Sequence, residues 1–197
     1  MTSLRHNDSV KPAATDAYLD AARDCILDVG WRRTTLTEVA RRAGVSRMTI
    51  YRSWPDMPQL LGDLMTREWS AIVTASDHGA GSRDAALTDR VVATVRALRG
   101  NELFQRIVEL DPELLLPYLL NRRGRSQDLI LGLIEGAIRA GQAEGSIRAG
   151  NPTAMARSLV LAAHGFVLSG HTMVDDDVSE DDLAAEARLI ISRVLAP

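Results

Sequence analysis

The stretch from Thr35 to Gln59 places the tightest constraint on the fold. It reads TLTEVARRAGVSRMTIYRSWPDMPQ. Thr35-x-x-Glu38 is a capping-box pattern, in which the hydroxyl accepts from the N–H three residues on and the carboxylate reaches back to the first N–H. Gly44 predicts a helix stop, because a sharp turn needs a positive φ that glycine adopts at low cost. Ser46 is a good N-cap for another helix. The stretch therefore predicts two short helices joined by a tight turn.

The spacing of small and apolar residues in this stretch fits a helix-turn-helix. Counting Leu36 as the first position, Ala40 is fifth and small where the helices touch, Gly44 is ninth and turns, and Ile50 is fifteenth and seals the corner. The second helix turns a polar and basic face outward: Ser46, Arg47, Met48, Thr49, Tyr51 and Arg52. In this motif the second helix enters the DNA major groove. The alternative is an ordinary helical hairpin inside an all-α domain, which has no need for arginine, threonine and tyrosine on that face.

The charge distribution supports a nucleic-acid site in the same place. The chain carries a net charge of −3, yet Trp31 to Trp54 holds six arginines and one acid, Glu38. That segment is therefore +5 and the remainder is −8. A basic segment on an acidic protein indicates a local site for a polyanion.

The rest of the chain predicts further helices separated by glycine, proline and polar breaks. Apolar residues recur at helical spacing in segments near 12–29, 56–74, 84–99, 101–108, 111–122, 126–140, 152–173 and 179–195. Residues 1–11 resemble a tail and Thr74–Arg83 a polar loop. Pro117 is expected to interrupt its helix, and Gly141, Gly145 and Gly150 are expected to break the chain. We therefore predict an all-α protein.

Several classes of function lack their usual signals. The sequence contains no P-loop, GxGxxG, GxSxG, HExxH or CxxC pattern, so neither an enzyme, a cofactor nor a metal site is predicted. His164 and His171 are seven residues apart, whereas two helical metal ligands favour a spacing of four. Cys25 is the single cysteine and is expected to be a buried small side chain rather than a redox sensor. With no long apolar run and no apolar signal core, a soluble cytoplasmic protein is expected.

Thr35 to Leu61 resembles the TetR (tetracycline-repressor) family of bacterial transcriptional regulators. The resemblance is carried by Thr35, Val39, Ala40, Ala43-Gly44-Val45-Ser46, Thr49-Ile50-Tyr51, Trp54 and Leu60-Leu61. It implies a homodimer whose two helix-turn-helix units bind one palindromic operator. It also implies that a small molecule binds the helical C-terminal part, moves the helix that follows the motif and releases the DNA. The implied domains are residues 1–55, comprising the tail and the DNA-binding domain, and residues 56–197, a bundle for ligand binding and dimerisation.

The resemblance also implies roles for individual residues. Arg47 and Met48 lie where the family contacts bases, while Thr35, Thr49 and Tyr51 lie where it contacts phosphates. Arg52 lies beside them and is assigned to either role, and Ser46 begins the same helix. Met57 departs from the pattern, because the family usually has a phosphate-binding lysine there; Ser53 stands where histidine is common. We expect the salt dependence of binding to be shallower by about one unit of slope per monomer, unless Arg32 or Arg33 compensates.

Two further sets of residues are predicted in the C-terminal part. Small and apolar residues of the last two long helices suit a dimer interface: Ala162, Gly165, Leu183, Ala187, Ile190 and Val194. Packing within one chain is the alternative reading. Candidates to line the cavity for a small, lipophilic effector are Met65, Trp69, Phe104, Tyr118 and His164, although residues of these types at helical spacing also occur as ordinary core.

The resulting prediction is a dimeric repressor that binds double-stranded operator DNA and is released by a small molecule. One alternative is a ligand-independent activator or architectural DNA-binding protein of the same fold. Another is an all-helical enzyme with an incidental helix-turn-helix, which the missing catalytic patterns disfavour.

Overall fold

The computed structural model describes residues 11–75 and 82–197, and the described chain is built from α-helices. In chain order they are α1 (Lys11–Val29), α2 (Leu36–Arg42), α3 (Arg47–Ser53), α4 (Met57–Ala75), α5 (Arg83–Arg99), α6 (Glu102–Leu110), α7 (Leu116–Leu120), α8 (Arg125–Glu144), α9 (Pro152–Ser169) and α10 (Glu180–Leu195). Short 3-10 turns, Pro112–Leu114 and Gly170–Met173, precede α7 and follow α9. The all-α class is thus confirmed. Most of the tail predicted for residues 1–11 and the centre of the loop predicted for 74–83 lie outside the described residues.

The helices form two compact units. The first unit comprises the chain up to Thr66 together with Glu102–Arg122, and the second comprises Arg67–Asn101 together with Arg123–Pro197. Packing therefore groups α6 and α7 with the helix-turn-helix. The functional division at residue 55 remains a prediction.

The first unit is organised around one apolar core to which five helices contribute. Its most buried residues include Ala22 and Ile26 of α1, Leu36, Val39 and Ala40 of α2, Ile50 of α3, Leu60 and Leu64 of α4, and Leu103 and Ile107 of α6. Cys25 is 1 % exposed in this core, and burial raises the pKa of its thiol. The expected buried cysteine is confirmed.

The second unit has its own core between α5, α8, α9 and α10. It contains Leu87, Val91 and Val92 of α5, Ile138 of α8, Ile147 of the following loop, Met155 and Leu159 of α9, and Ile191 and Leu195 of α10. Arg148 closes the end of α10, since its N–H donates to the Leu195 carbonyl at 2.9 Å and its Nε to the Val194 carbonyl at 2.6 Å. These bonds satisfy carbonyls that a helix end leaves without partners.

Two expected helix ends differ from the structure. Gly141 was expected to break α8, but the helix continues to Glu144 and ends at Gly145, which has a φ of +76°. A Cβ on Gly141 would lie 2.5 Å from Ile147 Cδ1, so this glycine makes room for a neighbouring side chain. The helix predicted for 152–173 ends at Ser169 and continues as the 3-10 turn.

Pro117 divides its segment as expected. The stretch from Pro112 forms a 3-10 turn first, and α7 follows with Pro117 in its first turn, where no N–H is required. In the described part of the chain, no helix has the length and hydropathy to cross a membrane.

Candidate nucleic-acid interface

The N-terminus of α2 is capped by Thr35, but only half of the predicted capping box forms. The Glu38 N–H donates to Thr35 Oγ1 at 3.2 Å. The Glu38 carboxylate instead accepts from Arg41 Nε and Nη2 at 2.9 and 2.6 Å. These bonds hold the pKa of Glu38 below its usual value. The second half of the box is wrong because a charged donor one turn along the helix competes with a backbone N–H for the same carboxylate.

The turn between α2 and α3 has the predicted geometry. Gly44 has a φ of +67°, and nothing lies within 4 Å of a Cβ built on it. Glycine is therefore favoured here by the backbone conformation and not by lack of space. The Val45 N–H donates to the Ala40 carbonyl at 3.0 Å, and Val45 packs against the core. Ser46 caps α3 by accepting from the Thr49 N–H at 3.2 Å, and the two hydroxyls lie 2.9 Å apart.

α3 presents its predicted face to solvent. Ile50 is fully buried, whereas Met48 is 68 % and Tyr51 47 % exposed. Arg47 and Arg52 are exposed on the same short helix. An exposed methionine and tyrosine beside two exposed arginines on one seven-residue helix fit a surface that binds another molecule.

The six arginines of the basic segment divide into two groups. Arg41 pairs with Glu38, Arg42 with Asp28 at 2.6 Å, and Arg32 with Glu113 at 2.5 Å. The other three are exposed and have no hydrogen-bond or ion-pair partner within residues 11–75 and 82–197: Arg33, Arg47 and Arg52. The cations available to an anionic partner are therefore fewer than composition suggests.

Trp54 fixes the exit of α3 and was recognised from the sequence only as an aromatic residue. It is 2 % exposed, and its Nε1–H donates to Asp63 Oδ2 on α4 at 2.7 Å. The ring of Tyr18 meets it edge-on, with centroids 6.4 Å apart. The end of α3 is thus tied to α1 and α4 by one side chain. A buried indole requires a hydrogen-bond acceptor, and the nearby aspartate was a signal for this contact.

Asp111 is a part of the first unit that sequence reasoning missed. This carboxylate is 3 % exposed and accepts from the Trp31 N–H at 2.9 Å, with Arg32 Nε 3.5 Å away. Gly30 has a φ of +82°, and a Cβ on it would lie 3.3 Å from Leu110 and 3.5 Å from Asp111. The turn between α1 and α2 is therefore held by a residue from the end of α6. No local pattern pairs residues that are about eighty positions apart.

Met57 stands where the resemblance leads one to expect a lysine, and its side chain turns toward the protein. It is half-buried and packs against the core of the first unit. The start of α4 is capped by Asp56, which accepts from the Gln59 N–H at 2.8 Å. A carboxylate therefore precedes the first turn of α4, and that turn itself, residues 57–60, has no charged side chain.

The predicted effector-site residues are distributed over both units. In the first unit Met65 packs against the core, Phe104 is 8 % exposed, and Tyr118 is half-buried with the Arg122 guanidinium 5.3 Å from its ring centroid. In the second unit Trp69 is half-buried on α4.

His164 is half-buried on α9 within the second unit. Its Nε2 lies 3.5 Å from Gln127 Nε2 of α8, and burial lowers the pKa of the imidazole. A histidine that is neutral near pH 7 and has a polar neighbour can either donate or accept a hydrogen bond.

The predicted dimer residues differ in exposure. Those exposed are Gly165, Ile190 and Val194, and those half-buried are Ala162 and Leu183. Ala187 is only 4 % exposed and lies among residues of its own chain. Two neighbours not singled out from the sequence are prominent instead, Leu161 at 70 % and Leu189 at 46 % exposure.

Comparison with known proteins agrees with this geometry. Residues 19–64 match the family model described as bacterial regulatory proteins, tetR family. An uncharacterized HTH-type transcriptional regulator of Mycobacterium bovis, Mb2274c, is 33 % identical over 168 residues, which cover 85 % of this chain and 87 % of that protein.

Solved structures show the same fold at lower identity. The Rhodococcus (R. erythropolis) transcriptional repressor QsdR from the TetR family has a TM-score of 0.70 at 14 % identity, over 95 % of this chain and 98 % of that one. Bacillus subtilis FadR, a transcriptional regulator solved in complex with stearoyl-CoA, has a TM-score of 0.66 at 16 % identity, over 91 % and 98 %. The capped α2, the turn at Gly44 and the exposed α3 are the DNA-binding motif of these regulators, and the chain belongs to the tetR family of bacterial regulatory proteins.

Proposed function

We propose that this protein is a transcriptional repressor that binds a palindromic operator as a homodimer and leaves it when a small molecule binds. The observation that supports this most directly is the exposed face of α3, where Arg47, Met48, Tyr51 and Arg52 have no partners in the described chain that would satisfy their charge or cover their apolar surface.

The chemistry of that face suits the major groove. An unpaired Arg47 can donate two hydrogen bonds to a guanine edge, and the exposed Met48 can pack on a thymine methyl group. The hydroxyls of Thr35, Thr49 and Tyr51 suit phosphate oxygens, which fix the position of the protein without reading sequence.

Arg52 suits either a base or a phosphate. Ser46 is occupied by the cap and lies at the edge of the surface, so its main contribution is to fix the start of α3.

We place the dimer interface on the outer faces of α9 and α10. Leu161 and Gly165 lie one turn apart on α9, and Leu189, Ile190 and Val194 form an exposed apolar face on α10. Large exposed apolar side chains of this kind are characteristic of an association surface. A two-fold dimer would then present two copies of α3 to the two halves of a palindrome.

For the effector we propose a small, lipophilic molecule. The residues predicted from the sequence to contact it belong to both units: Met65, Phe104 and Tyr118 to the first, and Trp69 and His164 to the second. Bacillus subtilis FadR was solved with stearoyl-CoA, which supports a lipophilic class without naming the compound. α4 contains residues of both units, which supports it as the element that would carry a change at an effector site to the DNA-binding motif.

DNA binding is tested by fluorescence anisotropy with promoter fragments from the protein's own gene region. Arg47→Ala should relax base preference at one position of each half-site, by about 1–3 kcal/mol, whereas Tyr51→Phe should weaken all sequences alike. If Arg47→Ala left both affinity and base preference unchanged, this assignment of the reading face would be wrong.

Effector binding is tested separately, by a thermal-shift screen of acyl-CoA thioesters and other lipophilic compounds. A compound that raises the melting temperature and lowers operator affinity supports the proposal. A protein that binds its operator and responds to none of them is better described as a ligand-independent regulator.

A further inference from the structure

Two adjacent arginines in the turn before α2 have different surroundings. Arg32 Nη2 lies 2.5 Å and Nε 2.8 Å from Glu113 Oε1, and Nε lies 3.5 Å from Asp111 Oδ1. Arg33 is exposed and contacts no acid in the parts of the chain that the structure describes. The sequence alone left open which of the two would replace the missing lysine.

The guanidinium of Arg32 is held by acids of its own unit. Asp111 is a nearly fully buried carboxylate, and its Oδ1 lies 3.5 Å from Arg32 Nε, so the guanidinium already faces an acid of its own unit. Glu113 adds a second charge to the same guanidinium, and the pKa of Glu113 is lowered by a backbone hydrogen bond and by the bond from Arg32. Moving Arg32 to a phosphate would therefore break two internal contacts in exchange for one.

Arg33 is displayed from a fixed backbone. The Thr34 N–H donates to the Trp31 carbonyl at 3.0 Å, and Thr34 Oγ1–H donates to the Gly30 carbonyl at 2.8 Å. These bonds close the turn around Arg33 and place it two residues before the capping Thr35, which is itself exposed. A long cationic side chain on a rigid turn loses little entropy beyond its own rotamers when it meets an anion.

Other cations of the motif do not compete for this role. Arg41 and Arg42 are each paired with a carboxylate of their own unit. Met57 packs inward, and the start of α4 carries the Asp56 carboxylate. Beyond the two arginines of α3, the basic segment offers Arg33.

We propose that Arg33 is a further DNA-binding residue, whose guanidinium contacts a backbone phosphate of double-stranded DNA beside Thr35, and that Arg32 makes no such contact. Arg33 takes the electrostatic role of the lysine absent at Met57 and is independent of DNA sequence. This inference rests on the proposed DNA-binding face.

The test uses a fluorescein-labelled duplex of about 30 base pairs and mixed sequence, because binding to such DNA is almost wholly electrostatic. Affinity is measured by anisotropy over a series of KCl concentrations. Arg33→Ala should weaken binding and make the slope of log K against log[KCl] shallower by about 0.9 per monomer. Each phosphate contact releases a counterion from the DNA, and the variant makes one contact fewer.

Three variants make the result specific. Arg33→Lys should restore the slope, because it restores the charge. Arg32→Ala and Arg41→Ala remove exposed guanidinium groups that are already paired, and should leave the slope unchanged. Equal melting temperatures for wild type and Arg33→Ala would establish that folding is intact.

The outcomes distinguish a failure of the proposed function from a failure of the Arg33 assignment. A wild-type protein that binds no duplex at low salt would contradict the proposed function itself. A wild type that binds, with an unchanged slope in Arg33→Ala, would overturn the role of Arg33 alone, as would a slope that falls in Arg32→Ala.

Discussion

Replacing Asp111 by alanine should destabilise the DNA-binding unit even though the residue lies far from the motif in sequence. Its carboxylate is 3 % exposed and accepts from the Trp31 N–H at 2.9 Å. Alanine leaves this part-buried N–H without an acceptor, at a cost of about 1–3 kcal/mol. The pair with Arg32 adds little, about 0–1 kcal/mol, because the Arg32 side chain is 69 % exposed. The expected loss of unfolding free energy is therefore about 1–4 kcal/mol.

Asp111→Asn distinguishes the hydrogen bond from the charge. The amide oxygen still accepts from Trp31, so about half or less of the loss is expected, reflecting the weaker bond to a neutral acceptor. Glu113→Gln is the matched control, since Glu113 pairs with the same guanidinium but its side chain is 42 % exposed. Its loss should be clearly smaller than that of Asp111→Ala, because exposed ion pairs contribute little to stability.

The measurement is urea unfolding followed by tryptophan fluorescence at one fixed protein concentration, because the proposed dimerisation would make stability depend on concentration. An Asp111→Ala protein within about 0.5 kcal/mol of wild type would refute the reasoning, since a buried donor would then have lost its acceptor without cost. Equal losses in the alanine and asparagine variants would show that charge, not hydrogen bonding, is what Asp111 contributes.

Three other substitutions test packing, protonation and the exit of α3. Gly141→Ala should lower the unfolding free energy by about 1–3 kcal/mol through overpacking. Gly136→Ala has open space around its new Cβ and should raise the unfolding free energy by about 0.5–1 kcal/mol. Chemical denaturation measures both, and equal effects would contradict the packing argument. Burial lowers the pKa of His164, so the folded protein favours the neutral imidazole. The stability that the neutral form contributes is complete above pH of about 6.5 and is lost as pH falls, because the unfolded chain takes up the proton first. His164→Asn should therefore flatten the fall in melting temperature between about pH 7 and 5, and an unchanged pH profile would count against this. Trp54→Phe removes the hydrogen bond to Asp63 and should weaken DNA affinity as well as stability, whereas a loss of stability with unchanged affinity would exclude a positioning role.

Most helices and turns could be predicted from residues that are close together in the sequence. The cap at Ser46 and the positive φ at Gly44 depend on residues within one turn of each other, and both were predictable. The start of α10 is equally local: Ser179 and Asp182 form a capping box, and hydrogen bonds from Ser179 lower the pKa of Asp182. The prediction for Gly141 was wrong because a glycine within a helical pattern has two physical explanations, a break or a close approach. Only the position of the Ile147 side chain, in the loop after the helix, distinguishes them.

The candidate site shows the same division. Exposure of Arg47 and burial of Ile50 follow from helical periodicity. The number of arginines free to meet DNA does not follow from composition, because the pairing of Arg32 depends on residues about eighty positions away, which sequence reasoning did not bring together. The assignments of bases, phosphates, effector and dimer contacts remain predictions.

The contribution of α6 to the first unit has a consequence for engineering. The obvious way to engineer a hybrid regulator is to join the N-terminal segment of one protein to the remainder of another. Here such an exchange at Thr66 would remove Leu103 and Ile107 from the core and Asp111 from the turn at Trp31. The transferable module is discontinuous, and a functional hybrid would have to carry Glu102–Arg122 along with the first segment of the chain.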